Sequence, residues 1–582
     1  MTAATDKTKK DLISLLEEIG LLLELRGDNP FKSRAYYRAA RNIESLGPDI
    51  DDLLQKGALE SVRGIGKALA EKIREYLTTG RLVYYEQLRE SIPVGFLEMI
   101  RLPGLGPKKI RALHEMLSIQ TVGELEYACM ENRLVTLPGF GIKTQDKILA
   151  VIENFKRYSE RHLYSDIIGQ AEELKAYVER CRDVLSISIA GSLRRKNDTV
   201  KDIDLLVATD APDSVAGHFL AFPLNESTVA HGPTKISTTL SSGSNSDLRI
   251  VTPEQFPYAL HHFTGSKDHN TAMRSRAKKY NLKMNEYGLF RESESIPCTS
   301  EEELFESLNL SFIPPELRED QGEIEAAETG TIPRLIEESD IRGVLHVHTT
   351  ASDGSDTLES LAGTAIDMGF QYIGISDHSK SAFYAGGLSV EEIDRQHDRI
   401  DELNERLPNI RIFKGIESDI LPDGTLDYDN TVLETFDFVI AAVHSHFTMT
   451  EAEMTLRIMK ALDNPFTTIL AHPTGRLLLS REPYRVNMEK VIRHAAERGI
   501  IIELNAHPRR LDLDWKLCRF AKNSGVKIAI NPDAHDCAGL RDIRFGVNIA
   551  RKGWLTADDC VNCLDTLAIE QIFFRRNQQI FS

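Results

Sequence analysis

Asp202 and Asp204 stand two residues apart in IAGSLRRKNDTVKDIDLLVA (189–208), following Gly191 and Ser192 in a GS-x(9)-D-x-D arrangement. Residues i and i+2 of a strand share a face, so these two carboxylates repel one another unless cations lie between them. With Asp247 from SDLRI on a neighbouring strand, they suit a pair of Mg²⁺ or Mn²⁺ ions. Gly191 and Ser192 would then hold triphosphate oxygens, and Arg195 would make a charge-assisted contact to a developing pyrophosphate. The chemistry this predicts is nucleotidyl transfer.

A second set lies after residue 340, where short apolar runs each end in His, Asp or Glu. They supply His346, His348, Asp353, His378, Glu417, His444, His472, Asp533 and His535. Nine such side chains can share three divalent ions, with a carboxylate such as Glu417 bridging two of them and activating a water for attack on phosphorus. Mixed imidazole and carboxylate ligands suit Mn²⁺ or Zn²⁺ better than Mg²⁺. His446, His507 and Asn505 are candidates to orient the ligands, and Glu503 and Arg476 to serve the substrate. Cys560 and Cys563 form a lone CxxC with no second pair, a weak metal signal.

A third set binds without reacting. VRGIGKALAEKI (62–73), LPGLGPKKIRAL (102–113) and LPGFGIKTQDKI (137–148) each place Gly-x-Gly at a helix start, at Gly64 and Gly66, Gly104 and Gly106, and Gly139 and Gly141. Such a turn brings backbone N–H groups and the positive end of the helix up to a phosphate, with lysines beside it. Three copies in one hydrophobic frame predict helix-hairpin-helix DNA binding that grips backbone rather than bases.

These groups need a scaffold to position them. Helical periodicity dominates the first 160 residues, as in LISLLEEIGLLLEL (12–25) and YYRAARNIESL (36–46), and strands mix with helices from about 160. A second helical and turn region runs to about 313, and 316–340 reads as an acidic, partly helical, solvated connector. Beyond 340, seven apolar runs alternate with helices and carry their polar residues at the C-terminal ends, which predicts a (β/α)7 barrel. The fold class expected is multidomain: α-helical and α+β nucleotidyltransferase modules, then a C-terminal α/β barrel.

The net charge of −18 is unevenly spread: residues 1–300 hold 41 Lys+Arg against 40 Asp+Glu, 301–340 hold 2 against 13, and 341–582 hold 27 against 35. A near-neutral N-terminal half can still present a basic face to DNA. No run approaches the roughly 18 apolar residues of a membrane span, and seven scattered cysteines fit free thiols in a reducing compartment. A cytoplasmic protein with no membrane partner is expected.

GSLRR, DID, SDLRI, HHFTGSKDHN (261–270) and MNEYGL (284–289) together resemble the palm and thumb of family X DNA polymerases, over roughly residues 8–320. The resemblance implies that Asp202, Asp204 and Asp247 hold the two metals. It puts Ser192 and Arg195 on the triphosphate, Phe263, Gly265 and Asn270 beside the incoming sugar and base, and Arg249 and Arg274 near the active site and template. It also makes Lys72 the candidate Schiff-base lysine of a 5′-deoxyribose-phosphate lyase, with Lys32 and Tyr36 in its phosphate pocket and Lys67 nearby. Lys196 stands where many members have glycine, His262 where animal members have tyrosine, and Ala68 where they have a basic residue; the first two departures resemble the bacterial branch.

HVHTTASDGSDTLESL (346–361), with SDHS, GIESDI, HPTGR and PDAH, resembles the PHP family of polymerases and histidinol phosphatases, with all nine of its ligand positions filled. Together the resemblances imply a lyase-like helical domain (1–85), a helix-hairpin-helix fingers domain (86–160), a palm (161–260), a thumb (261–320), a linker (321–340) and a PHP domain (341–582). The activity implied is template-directed filling of short gaps in DNA repair, with 3′→5′ exonuclease or abasic-site cleavage from the PHP domain. The implied partners are gapped or nicked double-stranded DNA with a 5′-phosphate and dNTPs, for a monomer associated with the bacterial nucleoid during repair. The alternatives are a nucleotidyltransferase fused to a small-molecule phosphatase, or a non-catalytic structural barrel.

Overall fold

The computed structural model describes residues 2–44, 53, 57–62, 64–102, 104–135, 137–156 and 161–581. The end of the helical run at 45–46 and the expected boundary at 160 lie outside these residues. The chain divides into two compact units, one of Met1–Cys129 with Gly139–Glu153, the other of Met130–Pro138 with Asn154–Ser582.

The first unit is helical. In Thr2–Arg26, Leu12, Leu16, Ile19 and Leu23 recur at helical spacing and are fully buried, the apolar stripe that LISLLEEIGLLLEL encodes. The three glycine turns share one backbone: Gly64, Gly104 and Gly139 have φ of +87°, +92° and +87°, a left-handed conformation that side chains resist. Gly66 and Gly106 are the N-caps of Lys67–Thr79 and Pro107–Leu117, and Gly141 accepts the first hydrogen bonds of Ile142–Lys156. A Cβ on Gly66, Gly104, Gly106, Gly139 or Gly141 would meet nothing within 4 Å, so the turns leave room for a closely approaching ligand.

The second unit opens on a five-stranded sheet of β1 (Ser186–Ile189), β2 (Asp202–Ala208), β3 (Asn225–His231), β4 (Lys235–Leu240) and β5 (Asn245–Val251), in the order β1-β2-β5-β4-β3. Only β2 and β5 run parallel, and their register sets Asp204 opposite Asp247. Alternation along β2 explains the faces: Ile203, Leu205 and Val207 pack with the helices Tyr164–Glu179 and Pro212–Leu220, while Leu206 packs with Ala259 and Leu260 on the face that carries Asp202 and Asp204. The helix Lys267–Lys279 and a three-stranded antiparallel sheet (283–296) follow.

The barrel sheet has seven parallel strands in sequential order: β6 (Gly343–Val344), β7 (Tyr372–Ile375), β8 (Arg411–Asp419), β9 (Phe438–Ala442), β10 (Thr467–Leu470), β11 (Ile501–Asn505) and β12 (Ile528–Asn531). A bridge between Val347 and Ala534 ties the last strand's exit to the first. Tyr372, Phe413, Phe438 and Ile501 pack with Ile569 and Phe573 of the C-terminal helix, and Phe573 stacks on Phe438 at 5.3 Å.

The stretch 316–340 is partly helical and largely exposed or half-buried, as expected of a connector, but some of its acids are not solvated. Glu316 is buried and paired with Arg551 at 2.5 Å, Glu323 is buried and bonded to His269 at 2.7 Å, and Ile336 enters the barrel's outer core. Glu316, Glu319 and Glu323 pair with residues far along the chain, whereas Glu325, Glu328, Glu337 and Glu338 stay exposed. All seven cysteines are free. No helix among the described residues is long and apolar enough to cross a membrane.

Candidate metal centres and nucleic-acid contacts

Asp202, Asp204 and Asp247 come together because β2 and β5 are neighbours in register. Burial lifts the Asp204 carboxyl to about 6, and Asp247 and Asp202 add to the effect, the response of like charges sharing a site. That repulsion fits cations between them. Asp247 also accepts from Ser237 Oγ at 2.5 Å and pairs with Lys235 at 2.6 Å. Gly191 is at φ +61°, and a Cβ there would fall on the Asp204 carboxylate, so glycine is required beside the triad.

Gly191–Arg194 forms a short helix with half-buried Ser192 on it. Its two arginines diverge. Arg194 donates to Thr264 Oγ1 at 2.6 Å and pairs with Glu301, which also holds the fully buried Arg318. Arg195 donates to the Thr264 carbonyl and pairs through Nε with Glu319 at 3.1 Å, and Glu319 is also held by Lys552 from the barrel. The residue expected on pyrophosphate is thus already anchored through a barrel lysine. Lys196 is half-buried at φ +54°. Gly265 caps the helix Phe256–Thr264 at φ +70°, Asn270 donates to the His262 carbonyl at 2.7 Å, and Arg249 lies 4.4 Å over the Phe263 ring. Arg274 reaches Thr271 at 3.3 Å, and none of these contacts occupies Ser192.

In the first unit, Lys72 Nζ donates to Tyr36 Oη at 2.7 Å and lies 3.4 Å over the Tyr84 ring. Burial lowers its pKa, and the charge of Lys32 lowers it further. Lys67 plays no part in this shift.

The barrel gathers its ligands more tightly. His348, Asp353, His378 and His535 form one group, His346, His348 and Asp533 a second, and His378, Glu417 and His444 a third, the ligand atoms within each lying within 4.8 Å of one another. His472 joins through Nε2, 2.9 Å from Glu417 Oε1. His346 Nε2, both ring nitrogens of His348 and of His378, His535 Nε2 and Glu417 Oε2 are buried without a well-formed hydrogen bond, a donor set that fits divalent cations. Burial alone would lift Glu417, yet His444, His378 and His346 hold it well below the usual carboxylate range. His535, despite burial, is raised to about 9 by Asp353 and Glu131.

Neighbours of the ligands fix the imidazoles. Glu503 accepts from His346 Nδ1 at 2.8 Å, Asp419 contacts His444 Nδ1 at 2.6 Å, and Asn505 donates to Asp533 at 2.9 Å. Glu503, expected at the substrate, is fully buried behind His346, and burial pushes its carboxyl up to about 7. Arg476, expected there too, turns to the carbonyls of Arg510 and Leu511. His507 is half-buried, and desolvation lowers its pKa to about 3, whereas His446 is exposed. Asp377 accepts from Thr349 N and Oγ1 at 2.8 Å each and from Gln396 at 2.6 Å, fixing the ligand loop. The sequence reading missed Asp419 and Asp377, although Asp419 stands two residues beyond Glu417 in IESD and so shares its strand face.

Four segments of the chain match known domain families. Residues 7–82 match the helix-hairpin-helix domain, 96–154 the SAM-like helix-hairpin-helix tandem, 259–319 the DNA polymerase beta thumb and 345–507 the PHP domain. A Bacillus subtilis protein named "DNA polymerase/3'-5' exonuclease PolX" is 40% identical over 573 residues, spanning 98% of this chain and 100% of that one. A "Probable phosphatase" of Acetivibrio thermocellus is 30% identical over 205 residues, 33% of this chain and 78% of its own length. A solved Leishmania infantum polymerase beta ternary complex is 25% identical, covering 38% of this chain and 96% of that one at a TM-score of 0.26.

Proposed function

This chain belongs to the family X DNA polymerases that carry a C-terminal PHP domain, and from that premise we propose that it fills short gaps in DNA and trims the same ends with its barrel. It is a DNA-directed nucleotidyltransferase joined to a metal-dependent phosphoesterase. The observation that carries the reading is the presence of two centres on different sheets, each built for cations: the Asp204–Asp247 register, and the barrel's six imidazoles and three carboxylates.

Divalent cations, when bound, supply charge neutralisation at the triphosphate and polarise the diester at the barrel. The chain's own residues do the rest. Asp202, Asp204 and Asp247 hold two ions, Mg²⁺ or Mn²⁺, while Gly191, Ser192 and Arg195 orient the triphosphate and Phe263, Gly265 and Asn270 border the nucleotide. In the barrel, Glu503 and Asp419 hold the Nδ1 sides of His346 and His444, leaving Nε2 of each facing Glu417. The nine ligands take three ions, Mn²⁺ or Zn²⁺. The three open glycine turns support a grip on the DNA backbone, with Lys32, Tyr36, Arg249 and Arg274 as further contacts.

A repair role on gapped, 5′-phosphorylated DNA follows from joining gap filling to end trimming, and the name of the Bacillus subtilis relative supports 3′→5′ polarity. Abasic-site cleavage is proposed for the same barrel. The protein acts as a cytoplasmic monomer at the nucleoid. The test uses gapped, 5′-phosphorylated DNA with a labelled primer in Mg²⁺ or Mn²⁺. With dNTPs the primer is expected to lengthen by the gap; without them it shortens. Phosphate release with no change in primer length would favour a small-molecule phosphatase instead.

Lys72 is proposed as the nucleophile of 5′-deoxyribose-phosphate removal, supported by a pKa that burial and the Lys32 charge lower, which leaves more free amine, and by the Tyr36 contact, which orients Nζ. Borohydride is expected to trap the parent on a 5′-deoxyribose-phosphate substrate and Lys72→Ala at least about tenfold less. Equal trapping would assign the chemistry to another amine.

A further inference from the structure

The barrel centre has one neighbour that its own domain does not supply. Residues Met130–Pro138 pack with the second unit, although they precede the PHP match at 345–507 by more than two hundred positions. Arg133 sits there with its guanidinium 5.0 Å from the Tyr384 ring, its Nη2 paired with Glu131 at 2.6 Å and its Nε 3.8 Å from Asp353. Glu131 is 2% exposed and lies 4.0 Å from His535 Nε2. Tyr384 in turn lies 6.5 Å from the His378 ring, and Arg509 reaches back to Met130. The segment therefore borders the ligand group of His348, Asp353, His378 and His535.

A half-buried guanidinium beside a centre built for several divalent cations stands in a repulsive field unless anions balance it. Glu131 balances it along one edge. The Nε edge faces Asp353, a residue we assign to the cations, so its N–H group is turned toward the centre. A guanidinium presents five donors in a fixed plane, matched to phosphate oxygens, and the Tyr384 ring fixes that plane. We propose that Arg133, positioned by Glu131 and Tyr384, binds the scissile phosphate group in the barrel, so that the phosphoesterase substrate site is completed by a residue from outside the PHP domain. This rests on reading the barrel as a phosphoesterase.

The experiment uses the full chain in Mn²⁺, with Arg133→Ala, Arg133→Lys and Glu131→Gln. Three quantities are read: metal per chain, the dissociation constant of thymidine 5′-monophosphate by calorimetry, and KM for bis(p-nitrophenyl) phosphate. Arg133→Ala is expected to weaken monophosphate binding and raise KM about ten- to a hundredfold with metal content unchanged. Arg133→Lys should fall between it and the parent, and Glu131→Gln should give a smaller loss. Primer extension by each variant reports that the chain is folded. Unchanged or tighter monophosphate binding in Arg133→Ala would overturn the proposal and make the segment a cover over the centre. Loss of metal in that variant would overturn it in favour of a structural role. A parent that holds metal yet neither binds monophosphate nor cleaves the diester would sink the phosphoesterase reading itself.

Discussion

Replacing Asp202 and Asp204 together by Ala is expected to lower dNTP incorporation at least about a thousandfold while leaving Mn²⁺-dependent shortening of the primer within about twofold of the parent. The reason is the separation of the two ligand sets. The triad sits on β2 and β5 of the five-stranded sheet, and no barrel ligand comes from that sheet. The variant should fold as well as the parent or better, since burial and two carboxylate neighbours already lift the Asp204 carboxyl to about 6 and removing it relieves that repulsion. Primer extension and primer shortening measured on one preparation, with a melting curve, check all three statements. Loss of both activities in a folded variant would contradict two separate centres.

The second large effect is expected from His346→Ala with His348→Ala. These imidazoles are fully buried, and His348 belongs to two of the three ligand groups. Their removal should release at least one ion per chain by elemental analysis and reduce barrel cleavage by about three orders of magnitude, sparing primer extension. It also leaves Glu503 buried without its imidazole partner, a cost of about 1–3 kcal/mol or more. Glu503→Gln separates the two effects: it keeps the volume and an acceptor for Nδ1 without the charge, and is expected to lower metal affinity about 10–100-fold with little change in melting temperature. Full metal occupancy and full cleavage in the double variant would mean that these histidines are structural.

Much of this protein is legible locally. Alternation in DIDLLVA assigns Asp202 and Asp204 to one face of a strand whether or not the rest of the sheet is known, and the apolar runs ending in His, Asp or Glu announce seven parallel strands with a site at their ends. The Gly-x-Gly turns are legible for the same reason. A left-handed φ at Gly64, Gly104 and Gly139 is a demand of the local backbone, and glycine is its local answer.

What tertiary structure decided is which charges meet. Glu503 stands in a strand run like its neighbours, and only the seven-strand closure sets it behind His346 and away from the substrate. Glu316 and Glu323 look solvated in sequence because their partners, Arg551 and His269, lie far along the chain. The same holds for Lys552, which reaches Glu319 and through it Arg195, and for Glu131 and Arg133, brought beside Asp353 and His535. Periodicity, caps and turn chemistry act over a few residues and leave a local imprint. An ion pair between residues hundreds of positions apart leaves none, because either partner alone reads as an ordinary surface charge until packing removes the water around it.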